Sequence, residues 1–109
     1  MVDAALMFGL SGDVRADLSS VFRRYVEIQQ VRIFGSRATG RYGSGSDIDL
    51  AVLAPTMTSD RFTQLWNDID ALPLVFKVDL LHWDTLENPV LKEKIMCEGL
   101  LFCAPVDGK

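Results

Sequence analysis

The sequence predicts an α/β fold, a mixed sheet packed on helices. Helical and strand-like periodicities alternate along the 109 residues. The strand-like runs are short and mostly apolar, and clusters of Gly, Ser or Pro separate them. Leu18, Val21, Phe22, Tyr25 and Ile28 recur close to the spacing i, i+3, i+4, i+7, which predicts an amphipathic helix over Asp13 to Gln29. "VRIF", Val31 to Phe34, is a short strand, and the "RATG" that follows Gly35-Ser36 could open a helical turn. "DIDLAVLA", Asp47 to Ala54, is a second strand closed by Pro55. Phe62, Leu65, Trp66 and Ile69 mark a second helix behind the capping candidates Thr58 and Ser59, ending before Pro73. "LVFKVDLLHW", Leu74 to Trp83, predicts a third strand. Asn88-Pro89 starts a last helix, Gly99 ends it, and "LLFC" adds a short final strand.

Composition bounds what such a domain can do. The chain is 49% apolar, enough for one core without staples, so a single domain over 1–109 is expected. Net charge is -4 and the basic residues are scattered, which excludes a surface built to track free nucleic acid. Cys97 and Cys103 lack metal-type spacing and fall in or beside apolar segments, so both are expected as reduced core thiols of a cytoplasmic protein. The N-terminal "MVDAALMFGL" has no basic flank and is too short to span a membrane, so neither export nor a membrane is expected.

Within "FGSRATGRYGSGSDIDLAVLAP", Phe34 to Pro55, a Gly/Ser loop adjoins two carboxylates at the mouth of an apolar strand. Alternation puts Asp47, Asp49, Ala51 and Leu53 on one face and Ile48, Leu50 and Val52 on the other. In the third run Asp79 shares parity with Lys77 and Leu81, so it can join the pair if the strands are neighbours. Three converging carboxylates repel one another unless protons or cations intervene. Hard divalent cations, Mg²⁺ or Mn²⁺, suit such oxygens and leave positions for phosphate and water. Gly35 permits close backbone approach, and the Ser36 hydroxyl with nearby amides can face an anion. A triphosphate held there at one end and by cations on Asp47 and Asp49 at the other is the arrangement that nucleotidyl transfer uses.

"GSRATG", "SDIDLAVL" and "FKVDLLHW", in that order, resemble the GS…DxD…D signature of the polymerase-β-like nucleotidyltransferase superfamily. The compact length resembles its minimal nucleotidyltransferase (MNT) branch, and the resemblance runs through "LKEKIMCEGLLF", a catalytic core of about 13–104. It implies a minimal nucleotidyltransferase domain in which Gly35 and Ser36 bind the phosphates of ATP and Asp47 and Asp49 hold the metals. Asp79 then completes the metal site or helps activate the attacking hydroxyl. Arg37 matches the GSR form and is expected to add a phosphate or structural contact. The resemblance further implies a helical HEPN partner, a ribonuclease toxin that an MNT antitoxin of type VII kind neutralises by moving AMP from ATP onto a tyrosine. A small-molecule acceptor of the aminoglycoside type, and a binding module without chemistry, are the alternatives. Arg41 and Tyr42 are expected as surface loop residues and His82 as a satisfied structural histidine. Phe62 and Trp66 are expected in the core or on a partner surface, which leaves a homodimer open.

Overall fold

The computed structural model describes residues 8–43 and 45–104. Most of the N-terminal segment read above for export and membrane signals, and Ser44 of the loop, lie outside the described residues. Among those described, no helix is long and apolar enough to cross a membrane.

Among the described residues four helices and four strands follow one another as α1 (Gly12–Phe22), β1 (Gln30–Phe34), α2 (Ser36–Thr39), β2 (Ile48–Leu53), α3 (Ser59–Asp70), β3 (Val78–His82), α4 (Pro89–Glu98) and β4 (Leu100–Cys103). A single 3₁₀ turn, Trp83–Thr85, joins β3 to α4. The caps act as their residue types suggest. Ser11 accepts from the Val14 amide, Thr58 from Arg61, and Asn88 from Val90 and Leu91 ahead of the first-turn proline. The sheet order is β3-β2-β1-β4, with β1 antiparallel to both β2 and β4 and with β3 parallel to β2, so the expected mixed sheet forms.

Alternation sorts the two faces. Ile48, Leu50 and Val52 of β2 and Val31 and Ile33 of β1 pack with Leu18, Val21 and Phe22 of α1 and Leu65 and Ile69 of α3 in one apolar core. The second face carries Arg32, Phe34, Asp49, Ala51 and Asp79. There Arg32 reaches the carbonyls of Met96 and Gly99 at the end of α4. Burial is graded along this face of β2: Leu53 and Ala51 are buried, Asp49 is half-buried and Asp47 is exposed.

Three expectations are corrected. α1 stops at Phe22 rather than Gln29, because Tyr25 accepts from Ile28 and Phe22 from Tyr25 across three-residue turns. The same spacing keeps Tyr25 and Ile28 buried without a helix. β3 begins at Val78, not Leu74: Phe76 lies under the Arg37 guanidinium, 4.9 Å from ring centre to carbon, and Val75 is 93% exposed. Cys103 is buried as expected, whereas Cys97 lies on the open side of α4.

Candidate active site

Two motifs meet because two strands are antiparallel neighbours. β1 ends at Phe34, whose partner in β2 is Asp49, so the Gly35-Ser36 turn emerges beside the Asp49 carboxylate. Gly35 has φ of +77°, and a side-chain carbon there would stand 2.5 Å from Asp49 Oδ2. Only glycine suits both the backbone conformation and the contact. From Gly35 the chain turns at once into α2, whose first amides have no intrahelical acceptors. The helical turn expected of "RATG" thus forms, closed by Gly40 at φ +82°.

The parallel pairing of β2 and β3 puts Asp79 directly opposite Asp49. Phe34, Asp49 and Asp79 thus form one row across three strands on the second face. Asp49 and Asp79 are thus side-by-side neighbours on adjacent strands. Burial pushes the Asp49 carboxyl above its ordinary value, helped by the charges of Asp79 and Asp47, while Lys77 opposes them. Lys77 Nζ lies 3.9 Å from Asp79, in an exposed pair of little consequence for stability.

Asp47 remains apart at the strand mouth, and among the described residues no three acidic, His or Cys side chains gather closely enough to enclose an ion. The donor set still fits Mg²⁺, which is usually held by one or two carboxylates and completed by water and substrate phosphate rather than by a protein cage. The oxygen chemistry of Asp49 and Asp79, and their mutual repulsion, are what such an ion would relieve.

Arg37 takes the structural option of the two contacts expected of it. It is 2% exposed, with Nε and Nη2 donating to the Ser46 carbonyl at 3.1 and 2.8 Å and Nη1 to Phe8 O at 2.9 Å. Tyr42 and Phe76 flank its guanidinium. The Ser46 hydroxyl in turn accepts from the Gly43 amide at 2.8 Å. Arg37 therefore fixes the residue immediately before Asp47. Neither Ser46 nor Phe8 was singled out by sequence, since a main-chain acceptor leaves no residue signature. His82 is structural as expected: buried, it donates from Nε2 to the Ala54 carbonyl at 2.8 Å and stacks on Phe62. Trp66 is half-exposed on α3.

No curated protein matches the chain significantly. Solved structures share the fold. A toxin-antitoxin crystal structure with AMP-PNP is 24% identical at a TM-score of 0.67, over 84% of this chain and 74% of that one. A tri-AMPylated HEPN toxin of Shewanella oneidensis in complex with an MNT antitoxin is 23% identical at a TM-score of 0.61, over 82% and 68%. A further toxin-antitoxin structure, MntA-HepT, is 23% identical at a TM-score of 0.59, over 82% and 68%. Residues 16–105 match the family described as polymerase beta, nucleotidyltransferase. With that match spanning most of the chain, and the Gly-Ser turn set against a carboxylate row on its sheet, this protein belongs to the polymerase beta nucleotidyltransferase family.

Proposed function

We propose that the chain transfers AMP from ATP to a tyrosine hydroxyl of a helical HEPN-type toxin partner and acts as its antitoxin. The observation that carries this reading is the contact between Gly35 and Asp49, which makes the anion turn and the carboxylates one site. The solved structure with AMP-PNP and the AMPylated HEPN complex, both similar in fold, support the nucleotide and the acceptor class.

Gly35, the Ser36 hydroxyl and the first α2 amides hold the triphosphate, with Arg37 keeping the following loop in place. Asp47, Asp49 and Asp79 would hold Mg²⁺ or Mn²⁺, which would supply charge neutralisation for the transferring phosphate. The acceptor oxygen forms a bond to the α-phosphorus, and the bond from that phosphorus to the bridging oxygen breaks. Its electron pair leaves with pyrophosphate. The hydroxyl proton passes to the Asp79 carboxylate. Intact carboxylates are what a masking module would not need.

Co-expression of the chain with its toxin partner, followed by intact-mass measurement, tests the proposal. Added AMP on the partner is the expected result, lost when Asp47 and Asp49 are both changed to Asn. Full neutralisation by that double variant, with no mass added, would replace the enzymatic reading with a masking one. AMP appearing on a small molecule instead would move the acceptor out of the protein class.

A further inference from the structure

Asp47 is exposed at the mouth of β2, so its place depends on the main chain to either side. On one side the Ile48 amide donates to Lys77 O at 2.8 Å, which ties it to the approach of β3. On the other side Ser46 is held at each of its polar groups. Its amide donates to Gly43 O at 3.2 Å, its hydroxyl accepts from the Gly43 amide at 2.8 Å, and its carbonyl accepts from Nε and Nη2 of Arg37. The sheet fixes the first side. The second depends on a guanidinium, and what fixes that guanidinium lies outside the Gly-Ser and Asp motifs.

Arg37 Nη1 donates to Phe8 O at 2.9 Å, across 29 residues of sequence. The turn that presents this carbonyl is unusual, with Phe8 at φ +57° and Gly9 at φ +72°. A bulky residue in the left-handed region persists only where its surroundings over-determine it. Here they do so on both flanks. The Phe8 ring lies 6.0 Å from that of Phe102 in β4, and Arg15 Nε of α1 donates to Leu10 O at 3.3 Å. At Gly9 a side-chain carbon would fall onto the Tyr42 ring and stand 2.8 Å from Arg37 Nη1. The absence of a side chain at Gly9 therefore lets the turn, the Tyr42 ring and the guanidinium close on one another.

Resting on the reading of Asp47 as a cation ligand, we propose that the Phe8-Gly9 turn is a positioning element of the active site. It acts through Arg37 and Ser46 to hold Asp47 within reach of the cation that Asp49 and Asp79 would bind. The turn itself touches neither nucleotide nor cation. The Gly35 turn does not lean on it, because α2 is closed by its own bonds from the Ala38 and Thr39 amides to Gly35 O at 3.1 and 3.2 Å. Loosening the Phe8-Gly9 turn should therefore weaken the part of ATP binding that needs a cation and spare the part that does not. A general loss of stability would not make that distinction.

The test is Gly9→Ala in the full chain, with Mn²⁺ as the cation. Hydrogen exchange at the Gly43 amide, which is bonded to the Ser46 hydroxyl, should quicken. The Mn²⁺ concentration that gives half of the gain in ATP affinity should rise about tenfold, the scale of one lost hydrogen bond from a charged group. ATP affinity in chelator should stay as it was. Tyr42→Leu opens the same contact without backbone strain; it should move both readouts the same way by less, and it carries the test if Gly9→Ala does not fold. Asp84→Ala removes the acceptor of the Ala54 amide at the far end of β2 and controls for lost stability. Measured well below its melting point, it should move neither readout. Unchanged exchange at Gly43, or faster exchange with the Mn²⁺ dependence unaltered, overturns the positioning role. An equal loss of ATP affinity in chelator, or the same shift in Asp84→Ala, overturns it too. The expected shifts in a chain that adds no AMP to its partner support the positioning role and overturn transfer. ATP binding that ignores Mn²⁺ in the unmodified chain overturns both.

Discussion

At the C-terminal end of β2, both main-chain groups of Ala54 are met by side chains. Asp84 accepts from its amide at 2.7 Å, and His82 donates to its carbonyl at 2.8 Å. At the N-terminal end of the same strand, Asp49 stands opposite Asp79 with Asp47 at the mouth, and the cation paired there, Lys77 with Asp79, is exposed. One end is a closed set of hydrogen bonds and the other a set of like charges held in register. The contrast teaches where this small domain keeps its stability. The core and the satisfied end fix the strand, and the strand then holds repelling groups in an arrangement they would not choose themselves. Unrelieved repulsion at the mouth is a store of affinity for whatever neutralises it.

The sharpest break in the comparison is Asp49→Asn. Transfer should fall by about a thousandfold or more, the scale of losing a group that stabilises charge in the transition state. Thermal unfolding at neutral pH should move upward, because a repelling carboxylate has gone. Intact-mass measurement and calorimetry on the same sample check both. If transfer persists, the two ends do not differ in function.

Next in size is Arg37→Met, which removes three charged hydrogen bonds to main-chain carbonyls. Each is typically worth about 1.5–3 kcal/mol, and a net loss of about 3 kcal/mol in denaturant unfolding is expected. ATP affinity should drop with it, since the residue before Asp47 loses its anchor.

Asp84→Ala addresses the other end. It leaves the Ala54 amide without its acceptor and should cost about 2 kcal/mol of stability. ATP binding measured well below the new melting point should be unchanged. A loss of ATP affinity there would show that the two ends are coupled.

The smallest effect is one of pH. The folded chain binds the Asp49 proton more tightly than the unfolded chain does. Without cation, stability should therefore decline as pH rises from about 4 through the raised Asp49 range. Glu27 works the other way: its pair with Arg61 holds its carboxyl below the ordinary value, so its contribution is present above about 4.5 and lost as pH falls. Asp49→Asn should remove the first slope and keep the second, and added Mg²⁺ with ATP should flatten the first in the unmodified chain.

Parity made much of the site legible in advance. Asp47, Asp49 and Asp79 could be placed on one face because side chains alternate, but the residue-for-residue pairing of Asp49 with Asp79 needed the strand order, which periodicity does not contain. Arg37 could be found from its motif, whereas its acceptors, the carbonyls of Phe8 and Ser46, are common to every residue type. The ends of α1 and β3 were missed for a related reason. Three-residue spacing from Phe22 to Ile28 serves successive turns as well as a helix, and an apolar run at Leu74 to Lys77 serves a packed connection as well as a strand. Residue pattern specifies which faces are apolar more firmly than it specifies which hydrogen bonds carry them.

The missing side chain at Gly35 has an inheritance of its own. The volume that a methyl group would claim there is already held by the Asp49 carboxylate, and the backbone conformation itself disfavours any side chain. The two positions are therefore not free to drift separately. A descendant that loses the acid at 49 gives up its chemistry and frees the space at 35, whereas one that gains a side chain at 35 displaces the acid. Among related chains, decay of the activity should thus be readable from either position alone, and a chain carrying a bulky residue at 35 beside an intact Asp49 should be rare.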